Sequence, residues 1–115
     1  MSAHNQYPSL IAAYQTAARI GDAAGVASLF TEDAIFLLPE QPALEGRQAI
    51  EDYYKESIGN GFAVTIKIRD IQERSETVYG NGVFEYEGGS GKWLQVLQRQ
   101  SDDTLLIHRL CWNQN

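Results

Sequence analysis

Gly59-Asn60-Gly61-Phe62-Ala63-Val64-Thr65-Ile66-Lys67-Ile68-Arg69 is the stretch in which the chain changes its hydrophobic period. Ahead of it, apolar residues recur every three or four positions. From Phe62 onward they alternate, with Val64, Ile66 and Ile68 set against Thr65, Lys67 and Arg69. Strand side chains point alternately to the two faces of a sheet, so this alternation predicts a half-buried strand. The glycines predict the end of a helix just before it. The chain is expected to be helical up to this point and mostly β beyond it.

Working back from Gly59, a helix is expected from about Arg47, with Ile50, Tyr53, Tyr54 and Ile58 on one face and a favourable Glu51–Lys55 pair. The segment from Pro39 to Gly46 reads as a loop. The apolar run Ala34 to Leu38, closed by Pro39, reads as a short buried strand. Pro8 and Ser9 open a helical pattern in which Leu10, Tyr14, Ala17 and Ala18 form one stripe. Gly21 reads as its stop, and Asp22 as the N-cap of a second short helix carrying Val26, Leu29 and Phe30.

Working forward, Phe84-Glu85-Tyr86-Glu87 alternates as well, and Lys92 to Arg99 and Leu105 to Asn113 are strand-like. Gly88 to Gly91 and Ser101-Asp102-Asp103 read as turns. Asn81-Gly82 is expected to mark a bulge, because a turn there would leave two very short strands. Helices followed by a run of strands predict an α+β domain, its helices covering one face of a curved antiparallel sheet. At 115 residues, with no internal repeat or linker, residues 1–115 are expected to form one domain.

Composition narrows the function. Nine Lys and Arg against 15 Asp and Glu give a net charge of −6, which disfavours nucleic-acid and anionic-membrane partners. The single Cys111 excludes an internal disulfide, and His4 and His108 lie far apart with no metal-ligand spacing, so neither a metal nor any other cofactor is expected. No apolar run approaches the roughly 18 residues of a membrane span, and the start MSAHNQYPSL carries no signal-type stretch. The expected location is the cytoplasm.

Four groups of residues carry a family resemblance: Tyr14 to Asp22, Leu29 to Ala34 with Pro39, Gly46 to Tyr54, and the closing Ile107 to Asn113, ending Cys111-Trp112-Asn113. Together they resemble the nuclear transport factor 2-like superfamily, closest to its SnoaL-like and ketosteroid isomerase-like members. The resemblance implies a cystatin-like cone, a strongly curved antiparallel or mixed sheet wrapped around N-terminal helices, with a pocket at one end. Members of this superfamily act as isomerases, cyclases, dehydratases and epoxide hydrolases, or only bind ligands or assemble complexes, so the fold alone names no activity.

Ketosteroid isomerases pair a carboxylate base with a Tyr and a protonated carboxylic acid that bond the developing oxyanion. By the resemblance, Tyr14 falls on the oxyanion tyrosine and Tyr54 on a tyrosine supporting it. Gln95 falls on the second oxyanion position, where its amide still donates. Leu38 falls on the base position and takes no proton, and Leu110 stands where relatives often carry an acid.

Strand parity adds further expectations. If Gln95 faces the pocket, so do Trp93 and Leu97; if Trp112 does, so do Leu110, His108 and Leu106. His108 then reads either as a general base opposite Tyr14 and Gln95 or as a core histidine bonded to a neighbour. Tyr14 and Tyr54 read either as ligand-facing or as core aromatics. Phe36, Leu38, Tyr54, Trp93, Leu110 and Trp112 are expected to line the ligand site. Asp22 and Asp33 read as cap and turn residues, and Glu40 and Glu45 as solvated.

Two function classes follow: a proton-transfer enzyme on a small apolar carbonyl compound, with His108, Tyr14 and Gln95 as its machinery, or a non-catalytic binding or assembly domain. Val83, Leu94, Val96 and Cys111 should point outward, an apolar face that predicts a homodimer packed through the sheet.

Overall fold

The computed structural model describes residues 2–115. The switch in period at Phe62 separates the helical part from four long strands, as the sequence predicts. Helix α1 runs Ala3–Arg19, α2 Ala23–Ala27 and α3 Arg47–Ser57. The strands are β1 Phe30–Leu37, β2 Leu44–Glu45, β3 Val64–Arg74, β4 Thr77–Tyr86, β5 Gly89–Arg99 and β6 Leu105–Gln114. They form one sheet in the order β2-β1-β6-β5-β4-β3. Strand β1 runs parallel to β6 and every other pair is antiparallel, so the sheet is mixed. Helix α1 packs on β3 and β6, and α3 on β1 and β2. The result is the α+β cone, helices against a curved sheet. No helix among the described residues is long and apolar enough to cross a membrane.

Helix α1 begins five residues earlier than Pro8 suggests. Proline in a helix interior removes one intrahelical bond and costs about 3 kcal/mol. Tertiary contacts offset that cost here: Ala3 and Tyr7 are fully buried, Gln6 Nε2 donates to the Asp103 carbonyl at 2.7 Å, and Arg99 Nη1 donates to Gln6 Oε1 at 2.6 Å. The helix ends as expected at Gly21, whose φ of 76° closes a Schellman turn in which the amide of Asp22 donates to Ala17 O and that of Gly21 to Ala18 O. Asp22 then caps α2, accepting from the Gly25 amide at 2.9 Å.

Phe30 is not helical: α2 stops at Ala27, and Phe30 opens β1, fully buried and paired with Ile107. The Arg47 guanidinium forks onto the Phe30 carbonyl through Nε at 3.0 Å and Nη2 at 2.7 Å, tying the first turn of α3 to the start of β1. The loop expected from Pro39 to Gly46 contains the two-residue strand β2. Gly88–Gly91 is a turn only in part, since β5 already begins at Gly89. The chain does run straight through Asn81-Gly82, but the extra residue of the bulge is Arg69 on β3, between the pairs Ile68–Gly82 and Asp70–Asn81.

A second bulge decides the site. Leu97 pairs with Ile107 and Val96 with Arg109, so His108 is an extra residue on β6. A bulge inverts facing on either side of itself. Leu105 and Ile107 are buried before it, and Leu110 after it. Uniform parity from Trp112 back to Leu106 therefore fails, and Leu106 is not among the core residues.

Candidate ligand cavity

Between α1, α3 and the inner face of the sheet lies a cavity of about 270 Å³. The alternation of β5 builds its floor: Trp93, Gln95 and Leu97 are buried, whereas Leu94 between them is 53% exposed. Of these, Trp93 and Gln95 reach the cavity, joined by Leu110 and Trp112 from β6 and Phe36 from β1. The helices supply Tyr14 and Ala18 from α1 and Tyr53, Tyr54 and Ser57 from α3. The far wall comes from the alternating residues of β3 and β4, Val64 and Ile66 with Phe84 and Tyr86. The Phe84 ring meets Trp112 edge-on at 5.4 Å and 88°, and Tyr54 meets Tyr14 at 5.9 Å and 82°, the arrangement that aromatic quadrupoles favour.

Three features define the chemistry of this lining. Tyr14 Oη and Tyr54 Oη share a hydrogen bond of 2.6 Å. Two phenols own two protons and spend one between them, so one O–H remains free to donate elsewhere. Burial pushes the Tyr14 hydroxyl up to about 12, against the opposing pull of its bond to Tyr54. Burial likewise raises Tyr54 well above the usual phenol range, assisted by its neighbours Tyr14 and Tyr53, and raises Tyr53. All three are neutral at physiological pH and act as hydrogen-bonding groups, not as bases.

The second feature is Gln95. Only 5% exposed, it accepts through Oε1 a 2.5 Å bond from Tyr7 Oη, a residue of α1 that lies behind the cavity wall. The third is the makeup of the whole lining: every described side chain is hydrocarbon, phenol, indole, hydroxyl or amide.

Of the residues expected at the site, Tyr14, Gln95, Tyr54, Phe36, Trp93, Leu110 and Trp112 come together around this cavity. His108 does not. As the bulged residue of β6 it turns away, its Nδ1 2.9 Å from Thr31 Oγ1 and 3.6 Å from Asp33 Oδ1. Partial burial and the adjacent Arg109 charge lower its pKa, and Asp33 only partly counters them. It is thus a histidine bonded to neighbours on β1, not a base facing Tyr14 and Gln95. Leu38 is also displaced: it follows the last residue of β1 and is buried in the core without lining the cavity.

Sequence reasoning overlooked the cavity role of Tyr53, Ser57, Val64, Ile66, Phe84 and Tyr86, although the helical and twofold periods had already placed most of these positions on inward faces. Tyr7 carries no such signal in the sequence, because it precedes Pro8, which reads as a first-turn residue.

A mixed sheet wrapped on three helices, with a cavity at their interface, is the cystatin-like architecture of the nuclear transport factor 2-like superfamily. The family model for the SnoaL-like domain matches residues 11–102, and the chain belongs to that family. Among solved structures it is similar to a ketosteroid isomerase-like protein from Erwinia carotovora atroseptica (18% identity, 98% of this chain and 96% of that one, TM-score 0.84). It is also similar to a nuclear transport factor 2-like protein with a cystatin-like fold from Novosphingobium aromaticivorans (17% identity, 95% and 79%, TM-score 0.82). A putative scytalone dehydratase from the same species superposes with a TM-score of 0.78 at 15% identity over 97% and 83% of the two chains. At these identities the likeness is one of fold. No curated protein matches the sequence.

Proposed function

We propose that the cavity binds a small neutral molecule, apolar in bulk with a polar atom such as a carbonyl oxygen, and that the domain works by binding it and not by moving its protons. The observation that carries this reading is the lining: phenol, indole, hydroxyl, one amide and hydrocarbon, with Tyr14 and Tyr54 held protonated and His108 turned toward β1. Proton abstraction next to a carbonyl needs a base within reach whose pKa lies near the working pH. Tyr14, pushed up to about 12, is a donor instead.

Size narrows the ligand. At about 270 Å³ the cavity lies near the lower end of small-molecule pockets, which suits a compact ligand. Burying such a ligand removes apolar surface from water, the main source of affinity in a site of this kind.

The chain's two tryptophans, Trp93 and Trp112, both line the cavity, so intrinsic fluorescence reports on occupancy directly. Titration with 1-indanone should give a saturable change. In D₂O the same sample should show no deuterium uptake at the ketone α-carbon beyond the buffer rate. Uptake above buffer would overturn the binding-only reading; no saturable change would overturn the cavity as a site.

A second reading concerns assembly, and the register of the sheet supports it. Leu37, Cys111 and Leu94 are successive cross-strand neighbours on the outer face. The next row contains Ile35, Arg109, Val96 and Tyr79. Leu37 is 46% exposed and Leu94 53%. A homodimer packed through this face would cover a continuous apolar row that otherwise meets water.

A further inference from the structure

We infer that Tyr7 fixes Gln95 as a donor-only group, so that the cavity selects ligands carrying a hydrogen-bond acceptor, such as a ketone oxygen, over equally shaped ligands that can only donate. The inference rests on the reading of the cavity as a binding site.

Tyr7 is fully buried, and among the described residues its hydroxyl has one partner, Gln95. A phenol owns a single proton, and burying that proton without an acceptor is costly. Tyr7 must therefore donate, and only the carbonyl end of the Gln95 amide can accept. That choice orients the amide. The other end, Nε2, has no protein partner among the described residues, yet no enclosed side-chain polar atom among them lacks one. Nε2 thus opens onto free space, and Gln95 is a cavity-lining residue. Hydroxyls such as those of Tyr14 and Ser57 rotate to donate or accept as a ligand demands. An amide nitrogen can only donate.

The rest of the fold holds this arrangement in place. Gly80 on β4 is the cross-strand partner of Gln95. A Cβ at Gly80 would lie 2.6 Å from Tyr7 Cε2 and 2.9 Å from Tyr7 Oη, so only glycine leaves the phenol room to lie over β4 and reach Gln95. The Trp93 ring, 6.2 Å away, packs against the same phenol. Burial also keeps the Tyr7 hydroxyl protonated across the physiological range. Tyr7 touches no ligand; it is a positioning residue.

Three bicyclic probes of nearly equal size test this by isothermal titration calorimetry: 1-indanone (acceptor), indane (neither) and indole (donor only). The unmodified protein should bind indanone roughly tenfold more tightly than indole, the ratio one net hydrogen bond supplies, with indane between or near indole. In Tyr7→Phe the Gln95 carbonyl loses its donor and the amide is free to turn. The indanone-to-indole ratio should then fall to about one, while indane affinity stays within about twofold.

Equal binding of indanone and indole by the unmodified protein overturns the inference alone, leaving the cavity reading intact. A ratio unchanged in a folded Tyr7→Phe protein does the same. Failure of all three probes to bind overturns the cavity reading and the inference with it. Should Tyr7→Phe not fold, the side-chain amide protons of Gln95 in the unmodified protein decide by NMR. They should shift on adding indanone and not on adding indane; equal shifts refute the inference.

Discussion

Tyr14 and Tyr54 should respond unequally to loss of their hydroxyls, and the structure sets the direction. Tyr54 is 3% exposed, and the one hydrogen bond its hydroxyl makes among the described residues is the 2.6 Å bond to Tyr14. Both hydroxyls are buried enough for their pKa to be raised, but Tyr14 as a residue is half-buried and so the less enclosed of the two at the cavity. Tyr14→Phe thus strands a buried hydroxyl, at a cost of about 2 kcal/mol. Tyr54→Phe keeps its ring against Phe36 and Tyr53 and leaves unpaired only the less enclosed Tyr14, a cost of about 0.7 kcal/mol. The double variant strands nothing and should cost about 1 kcal/mol, less than the two single losses together, a coupling of about 1.7 kcal/mol. Urea denaturation of the four proteins measures these values. In thermal melts each kcal/mol should appear as about 4 °C for a chain of this length. Additivity within about 0.3 kcal/mol, or a larger loss for Tyr54→Phe than for Tyr14→Phe, would refute the reasoning.

Three further outcomes follow from other parts of the molecule. His108, with its neighbours Thr31, Asp33 and Arg109, is held neutral in the fold and has a lowered pKa, so the unfolded chain binds its proton first. Its contribution is complete above about pH 6.5 and is lost as pH falls toward the folded value, at no more than about 1.4 kcal/mol per pH unit; urea midpoints between pH 7.5 and 5 should decline, and His108→Gln should flatten that decline. Gly80→Ala places a methyl group 2.6 Å from the buried Tyr7 ring and should destabilise by about 1–3 kcal/mol in the same assay, whereas a neutral result would mean the phenol has room to move. Leu94→Lys puts a charge in the middle of the outer apolar row and should convert a dimer to a monomer in sedimentation at micromolar concentration; an unmodified protein that is already monomeric contradicts the sheet-packed dimer.

Most of the fold was legible because it rests on period and punctuation. Gly21, Asp22 and Gly59–Gly61 each mark an element end by local backbone chemistry, and the alternation from Val64 onward needs only its own residues to be read. What escaped depended on contacts distant in sequence. Pro8 reads as a first-turn residue until the burial of Ala3 and Tyr7 against the sheet is known. Phe30 fits the helical stripe of α2 equally well, and only its pairing with Ile107 assigns it to β1. The site shows the same division. Trp93 and Gln95 could be placed by parity because β5 is regular where it meets the cavity, but parity carried one residue too far on β6 placed His108 on the wrong side. Nothing in Leu105 to Asn113 announces the bulge, since both registers offer an apolar face: Leu106, Leu110 and Trp112 in one, Leu105, Ile107 and Cys111 in the other.

The central claim is that the space between α1, α3 and the sheet is a ligand site whose inner donor is Gln95. A crystal structure of the protein with 1-indanone tests it most directly. The account predicts the bicyclic ring bounded by Trp93, Trp112 and Tyr54, with the ketone oxygen within about 3 Å of Gln95 Nε2. A cavity closed by inward collapse of its aromatic walls, or indanone seated only on the outer face of the sheet, would contradict it.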